Sequence, residues 1–299
     1  MATVRLRDGE QLHVTCIGKG EPVILLHAFA SRGDHWLPNV WPLARRFRFY
    51  LPDLRGFGKS HHASLQGRDV FATYAHDVED ICRHFQLDKV ILGGISTGAY
   101  VCLTYNQLYG FDRVTKYLNI EHGPDSVNCP GKSNGIFREQ QQEYFAEFHH
   151  LLHITASQQH LDYWQLPNQH RLQLLGAVTA ALCRSTHKPL LRKAIATSIA
   201  MAEPLFTRFV FPVEHWPTYL QVMQAFMIGG DTRPALDRIQ VPTTIMAGRH
   251  SQFFSMDAQR ELLSHIPHAR LVVFERSGHA PMLDEPLKFQ QALTRFLVA

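Results

Sequence analysis

Apolar residues recur along this chain in two rhythms, and the places where one replaces the other outline its architecture. PVILLHAF (22–29), RFYLPDL (48–54), KVILGGI (89–95) and RVTKYLNIE (113–121) are short, nearly continuous apolar runs. Each ends at a polar or glycine-containing turn, as strands buried on both faces do. Between them, FATYAHDVEDICRHFQL (71–87) sets Phe71, Tyr74, Val78, Ile81, Phe85 and Leu87 near the helical period. From about 126 to 238 the strands stop. GIFREQQQEYFAEFHHLL, QHRLQLLGAVTAALC, PLLRKAIATSIAM and PTYLQVMQAFMI all read as helices, with prolines at the joins. Strand and helix then alternate again through VPTTIMAG (241–248), a helix over 256–265, ARLVVFE (269–275) and a last helix over about 286–297. The pattern predicts an α/β fold with a mostly parallel, doubly wound sheet. Its core is expected at 1–125 and 239–299, with a helical cap at 126–238 over the carboxyl edge of the sheet.

Composition narrows the class. The chain has 299 residues, 45% hydrophobic and 19% charged, which describes an ordinary globular protein. The net charge of +4 is spread over single Lys and Arg residues, so no nucleic-acid partner is expected. No apolar stretch reaches the length of a membrane span, and the opening MATVRLRDGEQLHV lacks the apolar core of a signal peptide. Cys16, Cys82, Cys102, Cys129 and Cys183 lie far apart with no paired spacing, which argues for a reducing, cytoplasmic setting without a disulfide framework. His149 and His153 stand one helical turn apart, but they lack the inner Glu of zinc proteases and a third ligand, so no metal is expected.

Candidate chemistry sits in GISTG (94–98), which follows one predicted strand and opens a helix. Small residues two positions either side of Ser96 permit a turn sharp enough to push the serine out of the fold. In this context the chain resembles the α/β-hydrolase fold family. LLHAF is similar to that family's oxyanion loop, and LPDLRGFGKS (51–60) to its Asp-x-x-Gly-x-Gly-x-Ser signature. RSGHAPMLDEPLKFQQALTRFL (276–297) is similar to its terminal histidine segment. The resemblance covers nearly the whole chain. It places the cap after the sixth strand of the family's count, and implies Ser96 as nucleophile and His279 as base. It also implies an oxyanion hole made by the backbone N–H groups of Phe29 and Thr97. Substrate contacts are expected from His27, Ala28 and Trp216. The aromatic series of the cap is Trp164, Phe206, Phe209, Phe211, Trp216, Tyr219 and Phe226, of which two or three are expected to face substrate.

Two departures from the family pattern stand out. Ala28 replaces the usual glycine after the loop histidine, and Ser251 stands where the triad aspartate is usual. A base histidine needs a carboxylate to hold its tautomer, so the acid must come from elsewhere. The expected acid is Glu121, at the carboxyl end of the strand beside the nucleophile strand, with Asp125 in reserve; Ser251→Ala is expected to change little. The chain is thus expected to cleave a small-molecule carboxylic ester or thioester with an apolar acyl or aromatic group, through an acyl-enzyme and without a cofactor. A lactonase, a C–C bond hydrolase and a perhydrolase would use the same residues, and a receptor that kept the fold without turnover is the non-enzyme alternative. Oligomeric state is not legible.

Overall fold

The structure, a computed structural model, describes residues 2–65, 67–209 and 216–299. Its strands are β1 (Ala2–Arg5), β2 (Gln11–Gly18), β3 (Glu21–Leu26), β4 (Phe47–Pro52), β5 (Val90–Ile95), β6 (Val114–Ile120), β7 (Thr243–Gly248) and β8 (Ala269–Phe274). They form an eight-stranded sheet in the order β1-β2-β4-β3-β5-β6-β7-β8. β2 runs antiparallel to both β1 and β4, and every pairing from β4 to β8 is parallel. The longer helices, in chain order, are α1 (Val70–His84), α2 (Thr97–Tyr109), α3 (Gln141–Thr155), α4 (Asn168–Ser185), α5 (Pro189–Met201), α6 (Glu203–Phe209), α7 (Trp216–Ile228), α8 (Met256–His265) and α9 (Pro286–Val298).

Successive strand residues point to opposite faces, and here both faces are buried. In β3, Val23 and Leu25 join one apolar cluster while Ile24 and Leu26 join the other; in β5, Ile91 and Ile95 oppose Val90 and Leu92 in the same way. This is why the central strands read as unbroken apolar runs. Trp36, Val40, Phe289 and Leu293 cover one face, and Phe71, Tyr74, Val78 and Tyr100 of α1 and α2 cover the other. α3 to α7 all lie between β6 and β7, as the loss of the strand rhythm predicts. Their buried residues Leu151, Leu174, Ile199 and Phe226 belong to the same cluster as α1 and α2. Phe226 packs edge-on against Phe71 at 4.8 Å between ring centres. The helical segment therefore shares the core of the sheet.

The β1–β2 hairpin is not part of the sequence expectation. β1 is a four-residue edge strand, and β1 and β2 are both only partly buried, so the apolar signal is weak. The mark it does leave is Asp8-Gly9 at the turn, where Gly9 has φ +91°. Beneath the hairpin, Arg55 is fully buried. It donates to both carboxylate oxygens of Asp77 at 2.7 Å and to Asp8 at 2.7 Å. The Asp53 side chain accepts from the Gly33 and Lys59 N–H groups, so this loop is held by carboxylates as the motif suggests. Arg55→Met would leave Asp77 buried without its cation, at a cost of about 3–5 kcal/mol. Urea denaturation should show that loss, with much of it recovered in the Arg55→Met/Asp77→Leu double variant.

Candidate active site

Four adjacent parallel strands deliver their carboxyl ends to one place, and a site residue lies at or just beyond each end. Ser96 follows β5 with φ 53° and ψ −117°, a conformation that costs energy for any side chain. The surrounding structure compels it. The Ser96 N–H donates to the Ile120 carbonyl at 2.8 Å, and its own carbonyl accepts from the Tyr100 N–H at 3.0 Å. A methyl group on Gly94 would lie 2.3 Å from the Gly98 carbonyl carbon, and one on Gly98 would lie 2.5 Å from the Leu26 carbonyl oxygen. Only glycine lets the strand, the turn and the first turn of α2 approach so closely. Thr97 then opens α2, whose positive dipole end points at the site.

Glu121 follows β6 with φ 59°. Its side chain is 1% exposed, and its carboxylate has three donors. Oε1 accepts from the Gly248 N–H at the end of β7. Oε2 accepts from Ser251 Oγ at 2.6 Å and from His279 Nδ1 at 2.9 Å. With Nδ1–H committed to the carboxylate, the lone pair of His279 is on Nε2. Ser96 Oγ makes no hydrogen bond to this ring among the described residues; such contacts tighten when substrate binds. The His279 ring stacks on Phe253 at 4.3 Å. Its loop crosses the end of β7 so closely that a methyl on Gly248 would lie 1.9 Å from the Gly278 oxygen. Asp284 secures the same loop. Its carboxylate accepts from the Gly278 and His187 N–H groups at 2.8 Å each, and from the Thr186 hydroxyl.

Asp125, the reserve acid, is elsewhere: it accepts from the Val127 N–H at 3.0 Å and pairs with Arg233 at 3.4 Å. Ser251 is not a bystander, since it donates to the carboxylate that stands in for the one it displaces. Asp284 was not singled out from the sequence; an aspartate five residues after His279 reads as a surface charge until the loop folds over it. His122, also missed, is fully buried and stacks on Tyr100 at 4.5 Å. Its Nδ1 donates to the Gly123 carbonyl at 2.7 Å, and burial pushes its pKa down to about 3, helped by the nearby His279.

A cavity of about 760 Å³ of empty space, mouth included, opens beside Ser96. Phe29, Thr97, Phe137, Val178, Trp216 and Phe253 are among its walls, and no charged side chain lines it among the described residues. Of the aromatic series, Trp216, Tyr219 and Phe226 line it. Trp164 is half-exposed. Phe211 lies outside the described residues, as do the side chains of Phe206 and Phe209. His27 and Ala28 are not on the cavity wall, contrary to expectation. His27 is buried beneath it, with Nδ1 donating to the Ala28 carbonyl at 2.7 Å and Nε2 accepting from the Leu54 N–H at 2.9 Å. Burial pushes its pKa down to about 4, so the ring is neutral and splices the two loops. The left-handed residue of this turn is Ala30, φ 58°, and not Ala28, so the methyl that replaces the family's glycine meets no backbone strain. Among the described residues no group of three or more His, Cys, Asp or Glu side chains could hold a metal ion. No described helix is long and apolar enough to cross a membrane.

Residues 21–286 match the alpha/beta hydrolase fold family, and the chain belongs to it. It is 25% identical over 295 residues to the AB hydrolase superfamily protein YisY of Bacillus subtilis, covering 98% of this chain and 97% of that one. It is 26% identical over 281 residues to the pimeloyl-[acyl-carrier protein] methyl ester esterase of Nitrosomonas europaea, covering 93% and 96%. Among solved structures it is similar to the esterase EaEST of Exiguobacterium antarcticum, with a TM-score of 0.78, 24% identity and coverage of 100% and 99%. The chain is an α/β hydrolase, an enzyme of this family.

The crossing at Gly248 has a measurable consequence. Gly248→Ala must drive the end of β7 away from the histidine loop, which should cost about 1–3 kcal/mol in urea denaturation. Gly176→Ala, in the exposed middle of α4 with nothing within 4 Å of the new methyl, should instead stabilise by about 0.5–1 kcal/mol.

Proposed function

We propose that the protein is a serine hydrolase that cleaves carboxylic esters with apolar acyl groups through an acyl-enzyme. The observation that carries this reading is the 2.9 Å contact between His279 Nδ1 and the buried Glu121 carboxylate, beside a serine held at the tip of a strained turn. His279 Nε2 takes the proton as Ser96 Oγ attacks the ester carbon. Glu121 stays ionised, holds the imidazole tautomer and stabilises the imidazolium. The backbone N–H groups of Phe29 and Thr97 meet the oxyanion, aided by the amino end of α2. The imidazolium then gives its proton to the departing alcohol, and a water molecule repeats the sequence on the acyl-enzyme. Residues 126–238 act as a cap whose side chains receive the acyl group. An uncharged cavity wall supports a neutral apolar acyl chain over a sugar or a polyanion, and relatives named as methyl ester esterases agree with ester chemistry.

The test is fluorophosphonate labelling together with hydrolysis of p-nitrophenyl esters of increasing chain length. Ser96→Ala should lose both labelling and turnover while keeping its fold. Glu121→Gln should lower kcat toward the ~10⁴-fold seen when a triad acid is neutralised. Because Ser251 donates to that carboxylate, Ser251→Ala should lower kcat about tenfold, the scale of one hydrogen bond to a charged group; Ser251→Thr, which keeps the hydroxyl, should stay near wild type. Labelling that persists in Ser96→Ala would sink the mechanism, and full activity in Glu121→Gln would sink its acid.

A further inference from the structure

We propose that Leu220 is the partition that ends the acyl cavity and so sets the longest acyl chain the enzyme takes, an inference that rests on the ester reading above for its substrate. Two hollows flank α7. The cavity beside Ser96 takes Trp216, Tyr219, Leu220, Met223 and Phe226 from this helix, residues spaced to form one helical face. A second hollow, a solvent-open groove with about 1110 Å³ of empty space, takes Leu220, Gln221, Gln224, Ala225 and Ile228 from the adjoining face. Leu220 is common to both, and among the described residues no other side chain is. α3 divides in the same way, with Leu151 on the cavity and Leu152 on the groove. At Leu220 the two hollows therefore meet on a single residue, which is 3% exposed.

The two hollows differ in chemistry. The cavity is apolar, whereas the groove mixes Val70 and Phe71 with Arg68, Asp69, Gln159 and Gln224. A chain lying in the cavity gains about fourfold in affinity per buried methylene. That gain must stop where the chain meets Leu220, because a longer tail has to bend back toward the mouth or displace packed side chains. Removing the Leu220 side chain beyond Cβ joins the cavity to the apolar side of the groove along Val70 and Phe71, so the gain resumes there.

The experiment compares kcat/KM for p-nitrophenyl esters from acetyl to palmitoyl in the wild type, Leu220→Ala and Met223→Ala. Met223 is buried on the same helix but lines the cavity alone. Leu220→Ala should raise kcat/KM for the first two-carbon extension beyond the wild-type optimum by more than about tenfold relative to the optimum, two methylenes' worth of burial. Met223→Ala, which widens the cavity without opening it to the groove, should move the cut-off less than Leu220→Ala does. Leu220→Val, the milder truncation, should move the cut-off in the same direction by less, and serves if the alanine variant does not fold. Calorimetric binding of 1-alkanols of increasing length measures the same cut-off without turnover. If the wild type cleaves no ester, the ester reading fails, and the alkanol series still decides the partition. The partition is wrong if Leu220→Ala and the wild type stop gaining affinity at the same length, or if Met223→Ala shifts the cut-off as far as Leu220→Ala does.

Discussion

A carboxylate removed from water must have its oxygens answered by donors, or the fold that buries it does not form. The Glu121 carboxylate is answered three times, from the end of β7, from the turn that follows it, and from the loop after β8. Those donors come from segments distant in sequence that only the parallel sheet brings together. The constraint explains several local oddities at once. Glu121 adopts a left-handed backbone to turn its side chain back over the strand ends. Gly248 lacks a side chain because its N–H must reach the carboxylate while the histidine loop crosses over it. Ser251 contributes a hydroxyl where a second carboxylate would place two like charges in one small volume.

Most of the frame was legible in the residues themselves, because strands buried on both faces leave apolar runs that helices do not. Val23 to Leu26 and Val90 to Leu92 announce themselves in this way. The edge hairpin did not, since Ala2–Arg5 and Gln11–Gly18 are half solvated and their signal shrinks to one Asp-Gly turn. In the site, Glu121 was expected from strand adjacency, and its carboxylate lies 2.9 Å from His279 Nδ1. What stayed hidden were the residues whose importance depends on tertiary approach. Ser251 reads as a lost acid until its hydroxyl is seen 2.6 Å from the carboxylate. Asp284 reads as a surface charge ahead of the terminal helix until the loop closes on it, and Leu220 is one apolar residue among many until the hollows on its two sides are both in view.

The histidines divide by burial. His27 and His122 are sealed from water and held neutral, and each donates Nδ1–H to a backbone carbonyl of the next residue. Such a ring fixes a tight turn without adding charge. At His122 it also keeps a second positive charge away from the nearby His279.

Asp284 has a consequence beyond local order. It grips the His279 loop with one carboxylate oxygen and, through Thr186 and His187, the segment that leaves α4, while the Ala280 N–H donates to the Ser185 carbonyl at 2.8 Å. The end of α4, a helix that lines the cavity, and the loop that carries His279 are thus fastened to one joint. A displacement of the end of α4 is therefore felt directly by the loop that carries His279, although the two segments stand about ninety residues apart in the chain.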